Sequence, residues 1–131
     1  MTPHAGEFER VFSIKLPENL LLCLSLAKKI SRFYDAILVL KGHKTLVVYR
    51  DKIYINSTGN PGMAKGGAGD VLTGTIAAFI AQGLSGFEAA RWAVYFHGKA
   101  GDLAVRRKGE LGLLASDIIK YLPAALGVTA A

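Results

Sequence analysis

Asn56-Ser57-Thr58-Gly59-Asn60-Pro61-Gly62-Met63-Ala64-Lys65-Gly66-Gly67-Ala68-Gly69-Asp70 decides how this chain is read. Five glycines and one proline within these fifteen residues exclude regular secondary structure there. From Asp70 the pattern turns helical. Leu72, Ile76, Phe79, Ile80 and Gly83 recur with no charge before Glu88, which predicts a helix buried on most sides. A glycine-rich segment running into a helix presents unpaired backbone N–H groups at the helix start, an arrangement suited to phosphate or another oxyanion. Gly66, Gly67, Ala68 and Gly69 form that candidate loop. Two familiar fingerprints fail on it. G-x-G-x-x-G fits Gly67-Ala68-Gly69 but meets Leu72 where the last glycine belongs, and the P-loop pattern fails because Lys65 follows Ala64 and precedes Gly66. The segment is therefore a phosphate loop of another type, or a structural turn.

Asp70 separates those readings. A carboxylate at a helix start can act as a cap. A cap, however, does not need four preceding residues stripped of every bulky side chain. A general base aimed at a hydroxyl beside a phosphate does, and the helix dipole favours its ionised form. Asp70 is thus the candidate catalytic residue.

Upstream, Pro3 to Gly6 reads as a short turn and residues 7–12 as one or two helical turns. A helix is expected from Pro17, with Glu18 in its first turn, Leu22, Leu26, Ile30 and Phe33 as its apolar stripe, and Lys28, Lys29 and Arg32 toward its C-terminal end. Ala36 to Leu40 is an apolar run closed by Lys41-Gly42, the pattern of a buried parallel strand. Thr45 to Tyr49 and Lys52 to Asn56, separated by Arg50-Asp51, suggest a hairpin. Downstream, a helix over about Gly86 to Arg107 carries Ala90, Trp92 or Ala93, Phe96 and Ala100 inward. A last helix, capped by Ser116, ends near Pro123 or a little beyond. The order of elements indicates an α/β layered domain.

Composition limits the partners. The chain has 131 residues, 51% hydrophobic and 20% charged, which suits a single globular domain and excludes a disordered one. Sixteen Lys and Arg against ten Asp and Glu give a net charge of +6, favouring anionic partners. The basic groups are scattered, with Lys28-Lys29 and Arg106-Arg107-Lys108 on expected helices, and no aromatic-rich sheet or finger spacing accompanies them. Small phosphorylated molecules are expected rather than nucleic acid. Cys23 is the single cysteine, set among leucines as a buried structural thiol. The start of the chain lacks signal-peptide character, and the uncharged stretch from Val71 to Phe87 falls short of the ~20 apolar residues of a membrane span. A cytoplasmic protein without membrane contact is expected.

Three segments together carry a resemblance: Thr2-Pro3-His4-Ala5-Gly6-Glu7, Lys41-Gly42-His43-Lys44-Thr45, and Asn56 through Gly74. With His97 to Asp102 and Ala115-Ser116-Asp117, they resemble the signature segments of the ADP/ATP-dependent NAD(P)H-hydrate dehydratases, which belong to the ribokinase-like superfamily. The resemblance implies a ribokinase-like layered α/β sandwich. Residues 1–131 would be its C-terminal half, with central strands, a β-hairpin and flanking helices, the N-terminal half being absent. It implies removal of water from hydrated NADH or NADPH, with ADP (or ATP) as the driving nucleotide and Mg2+ as cofactor. By the same resemblance, His4 and Asp70 would meet the hydrated dinucleotide, Lys41, Gly42, His43, Lys44 and Thr45 would hold the adenine nucleotide, and Gly69 would lie against its phosphates. Lys65 stands where the family often has a small hydroxyl residue. Homo-oligomerisation, or pairing with the missing half, is implied as well.

Two rivals stand beside this reading. A ribokinase-like small-molecule kinase would use the same loop and aspartate, and the Asn-x-Thr-Gly-Asn-Pro-Gly stretch argues against it. A catalytically incomplete nucleotide-binding remnant would keep the loop alone, in keeping with the lack of an Asn-x-x-Glu magnesium motif. Of the histidines, His43 is expected to face solvent and His97 to be a satisfied structural residue.

Overall fold

A computed structural model describes residues 1–127, which form two compact units, one from Met1 to Asn56 and one from Ser57 onward. In the first unit, α1 (Ala5–Phe12) and α2 (Leu20–Tyr34) precede three short strands, β1 (Leu38–Leu40), β2 (Leu46–Tyr49) and β3 (Lys52–Ile55). The strands form one antiparallel sheet in the order β1-β2-β3, with Leu38 opposite Val48 and Val48 opposite Ile53. The expected hairpin is therefore present. Arg50 closes it in the left-handed conformation at φ 55°.

The parallel strand expected at residues 36–40 is corrected in part. β1 pairs antiparallel with β2, while its other edge meets the N-terminal segment in parallel. Val39 N donates to Met1 O at 2.8 Å, Lys41 N donates to Pro3 O at 3.0 Å, and a parallel bridge joins His4 to Lys41. The apolar run reflects burial on both faces rather than a wholly parallel setting: Leu38 and Leu40 point to the helices, and Val39 is buried on the other face.

Two expectations for α2 also change. It begins at Leu20, capped by Asn19, whose Oδ1 accepts from Leu22 N, so Pro17 and Glu18 lie before it. Its buried face is Cys23, Ala27, Ile30 and Ser31, whereas Leu22 is 61% and Phe33 81% exposed. Small residues let the helix axis approach the sheet closely, and the large leucines that suggested the stripe sit one residue off that line. Phe8, Cys23, Ala27, Ile30, Leu38, Leu40, Leu46 and Val48 make the core of this unit.

The second unit is helical. A 3-10 turn (Pro61–Met63) leads to α3 (Ala68–Ala81), α4 (Gly86–Gly112) and α5 (Ala115–Ala125). α4 is interrupted at Gly109 (φ 71°, ψ 165°), two residues beyond its expected end. Its inner face uses Ala93 rather than Trp92, which is exposed; alanines at 89, 90, 93, 100 and 104 are buried. α3 is not enclosed: only Ala68 and Leu72 are buried, because an uncharged helix can still pack along one side only. Ser116 is not the cap of α5. That helix starts after Leu114, whose N–H is taken by Asp117 Oδ2 at 2.9 Å, and Pro123 is accommodated within it. Buried Asp117 also pairs with Lys108 at 2.7 Å, and that ammonium holds its carboxyl below the usual carboxylate range. No described helix is long and apolar enough to cross a membrane.

Ser31 joins the parts of the first unit. Fully buried, its hydroxyl donates to Ala36 O at 2.7 Å and accepts from Arg50 N at 2.8 Å, linking the end of α2 to the approach of β1 and to the hairpin turn. Ser31→Ala leaves both groups unpartnered and should cost about 1–3 kcal/mol in denaturant unfolding, with Ser31→Thr less damaging.

Candidate functional site

The glycine-rich loop of the second unit is held by the helix it faces. Thr58 Oγ1 donates to Tyr95 O at 2.9 Å. Asp102 takes two bonds, from Gly59 N at 3.0 Å on Oδ2 and from Asn60 Nδ2 at 2.9 Å on Oδ1. Between these anchors α4 turns two glycines, Gly98 and Gly101, toward the loop. A Cβ on Gly98 would overlap Thr58, and one on Gly101 would overlap the Met63 side chain. A Cβ on Gly62 would lie 2.8 Å from Glu110 Cα. The loop therefore lies against a groove made of absent side chains.

At its far end the loop becomes α3. Gly67 is the N-cap residue at φ 88°, a left-handed conformation that suits glycine, and it offers no side-chain cap. The helix thus starts at Ala68, two residues earlier than the sequence pattern suggested, and Asp70 is its third residue rather than its cap. Among the predicted loop amides, Ala68 N is spent on Lys65 O at 3.2 Å, and the Ala68 methyl is buried in the helical core. The N–H groups of Gly66, Gly67, Gly69 and Asp70 have no acceptor among the described residues. Exposed Asp70 stands beside them in the first turn of α3. The arrangement is an anion-binding helix start with a carboxylate at its rim. Lys65 turns away, its Nζ 3.5 Å from Leu111 O.

His97 completes this end. Its Nε2 lies 2.9 Å from Ala68 O, a bond in which the ring N–H donates. Burial, opposed in part by that bond, pushes its pKa below the ordinary 6.5. It is a structural histidine, as expected. Asp70 also borders a cavity of about 530 Å³ between α3 and α5, lined by Val71, Gly74, Phe79, Ile119 and Leu122 among others.

In the first unit, the structure brings together His4 and Lys41. A single parallel bridge between their backbones sets them side by side, and Glu7 joins them. His4 Nδ1 accepts from Glu7 N at 3.2 Å while Glu7 Oε2 accepts from His4 N at 2.8 Å, a reciprocal capping box at the start of α1. Lys41 Nζ lies 3.6 Å from the same Glu7 oxygen. The backbone N–H of His4 first, and the Lys41 charge second, hold the Glu7 carboxyl below its usual range. Gly42, His43 and Lys44 form an exposed turn, closed where Gly42 N donates to Thr45 Oγ1 and that hydroxyl donates to Gly42 O. His43 faces solvent, as expected.

The family model described as NAD(P)H-hydrate dehydratase matches residues 1–124. The chain belongs to this family. Members similar to it include the bifunctional NAD(P)H-hydrate repair enzyme of Moorella thermoacetica, 44% identical over 127 residues that make up 94% of this chain and 23% of that protein. Among solved structures, the ADP/ATP-dependent NAD(P)H-hydrate dehydratase of Bacillus subtilis, co-crystallised with ATP and Mg2+, superposes with a TM-score of 0.88 at 33% identity, covering 96% of this chain and 46% of that one. A ribokinase-like superfamily protein of Enterococcus faecalis superposes with a TM-score of 0.80 at 32% identity, covering 96% and 43%. The fold is ribokinase-like α/β, and the chain spans about a quarter of the bifunctional relative and just under half of these solved NAD(P)H-hydrate dehydratase and ribokinase-like chains.

Two residues with structural parts in these regions carry no role in the motif reading. Glu7 joins His4 to Lys41, and Asp102 holds the loop. The signals were available: Glu three residues after a capping position, and an aspartate on the same helix as a pair of glycines three residues apart, Gly98 and Gly101.

Two measurements check this geometry. Gly98→Ala should destabilise the protein by about 1–3 kcal/mol through overpacking against Thr58, read in chemical unfolding. His97 gives a pH signature. The unfolded chain takes up the His97 proton at higher pH than the folded one, so its contribution is full above about 6.5 and is lost as pH falls through the window below. Melting temperatures of the parent should drop across that window, and His97→Gln, which can still donate to Ala68 O, should flatten the drop.

Proposed function

We propose that the protein containing these residues dehydrates hydrated NADH or NADPH at the expense of ADP or ATP, and that residues 1–131 correspond to the C-terminal half of its dehydratase domain. The observation that carries the mechanism is the Asp70 carboxylate set at a helix start whose Gly69 and Asp70 amides are unspent. Family membership and the nucleotide-bound Bacillus subtilis relative support the substrate and nucleotide.

In this reading Asp70 takes the proton from the hydroxyl of the hydrated ring. The freed oxygen attacks the terminal phosphoryl group of ADP, releasing AMP. The phosphate then leaves the ring carbon, driven by the ring nitrogen lone pair, and loss of a proton from the neighbouring ring carbon to solvent returns the dihydronicotinamide double bond, so that ADP ends as AMP and phosphate. The unspent amides of Gly66, Gly67 and Gly69 face the transferred phosphoryl charge and stabilise it as it spreads over three oxygens. His4 contacts the hydrated dinucleotide. Lys41 and the turn from Gly42 to Thr45 contact the adenine nucleotide, the turn being shaped by the Thr45 hydroxyl.

Among the described residues no three His, Cys, Asp or Glu side chains converge to hold a metal ion. The described residues therefore offer no all-protein magnesium cage, and a Mg2+ ion would arrive on the nucleotide phosphates, with Asp70 the loop carboxylate able to face it. Bound there, it would neutralise phosphate charge.

Asp70→Asn keeps size and hydrogen-bonding capacity but removes the base. In the full-length protein it should abolish dehydration of hydrated NADH while ADP affinity, measured by calorimetry, stays within about threefold of the parent. Retained dehydration would refute the role given to Asp70. A phosphorylated product accumulating in place of free phosphate would indicate a kinase.

A further inference from the structure

We propose that Asp102 is a positioning residue: by holding Gly59 and Asn60 it sets the course of the loop that delivers Gly66–Asp70. The inference rests on the dehydratase reading for its activity arm only.

Both Asp102 oxygens are committed to the loop, Oδ2 to Gly59 N and Oδ1 to Asn60 Nδ2. The pairing fixes the Asn60 amide in one orientation. It leaves Asn60 Oδ1 buried without a partner, a state that a freely turning amide would avoid. From Asn60 a relay of short backbone bonds runs to the helix start. Met63 N donates to Asn60 O, Ala64 N to Pro61 O, Lys65 N to Met63 O and Ala68 N to Lys65 O, each between 2.8 and 3.2 Å. Each link is a tight turn with little freedom, so the position of Asn60 is passed along to Gly66 and Asp70. The far end is pinned by His97 on Ala68 O. Asp102 and His97 thus hold the two ends of one span from the same helix. A small displacement of that span matters, because phosphoryl transfer depends on near-contact placement of the base and the amides.

The orphaned Asn60 oxygen supplies the test. In Asp102→Asn, Asn60 can turn over and accept from the new amide while Gly59 N keeps an acceptor, so most of the clasp survives. Asn60→Asp opposes two carboxylates and should break it. The double variant Asn60→Asp/Asp102→Asn restores both bonds with the carboxylate moved across. These variants, with Asp102→Ala, are made in the full-length protein and compared by amide hydrogen exchange, ADP titration, and KM and kcat on hydrated NADH. Asp102→Ala and Asn60→Asp should raise exchange at the bonded amides of Met63, Ala64, Lys65 and Ala68 by about tenfold or more and weaken ADP binding by a similar factor, and the double variant should recover to within about threefold of the parent. Exchange that rises only at residues 58–60, or equally throughout residues 57–127, would overturn the proposal. So would a double variant no better than Asn60→Asp. A parent protein that fails to dehydrate hydrated NADH would count against the functional reading alone, since exchange at the amides of Met63, Ala64, Lys65 and Ala68 still decides the role of Asp102.

Discussion

The second unit depends on how closely the backbone of residues 58–63 approaches α4. Gly98 and Gly101 open the helix surface on that side, and Gly62 answers from the loop against Glu110. Interiors are packed densely enough that a methyl group cannot be added at Gly62 or Gly98 without displacing backbone, nor at Gly101 without moving the Met63 side chain. The interaction is one of shape, and the hydrogen bonds to Tyr95 O and Asp102 register the loop along a groove that the glycines create. Because α4 also supplies His97 to Ala68 O, one helix fixes both the path of the loop and the start of the helix that follows.

The first unit solves a similar problem with charge. His4 and Lys41 come from segments far apart in the chain, and the strand bridge alone sets only their backbones together. Glu7 orders the side chains: it closes the capping box on His4 and faces the Lys41 ammonium with the same oxygen. A surface pair of this kind contributes little stability on its own. Its value lies in holding one imidazole and one ammonium in a defined arrangement.

Much of this was legible in the sequence. The hairpin, the glycine-rich loop, the helix after it and the burial of Cys23 all follow from turn chemistry and periodicity. The limits were of two physical kinds. Periodicity counts large apolar residues, so it chose Leu22 and Phe33 for α2, although the close approach to the sheet is made by Cys23, Ala27 and Ser31. Local patterns also cannot express what lies across the fold. The parallel partner of β1 is the N-terminal segment more than thirty residues away, and the partner of the Gly59 amide is Asp102, 43 residues on. For the candidate site, Asp70 and its glycines were visible because clearance is written into consecutive residues. Asp102 was harder to read, since the glycines on its own helix mark a close approach without saying that the loop is what approaches.

The buried Cys23 has a practical consequence. Packed under the sheet, its thiol has a pKa raised by burial, so it forms little thiolate near neutrality and is shielded from reagents. Cys23 is also the single cysteine of the chain. A cysteine introduced at exposed Ser57, just before the loop, would therefore be the one reactive thiol among these residues. A spectroscopic label could be attached there without first removing a native sulfur from the core.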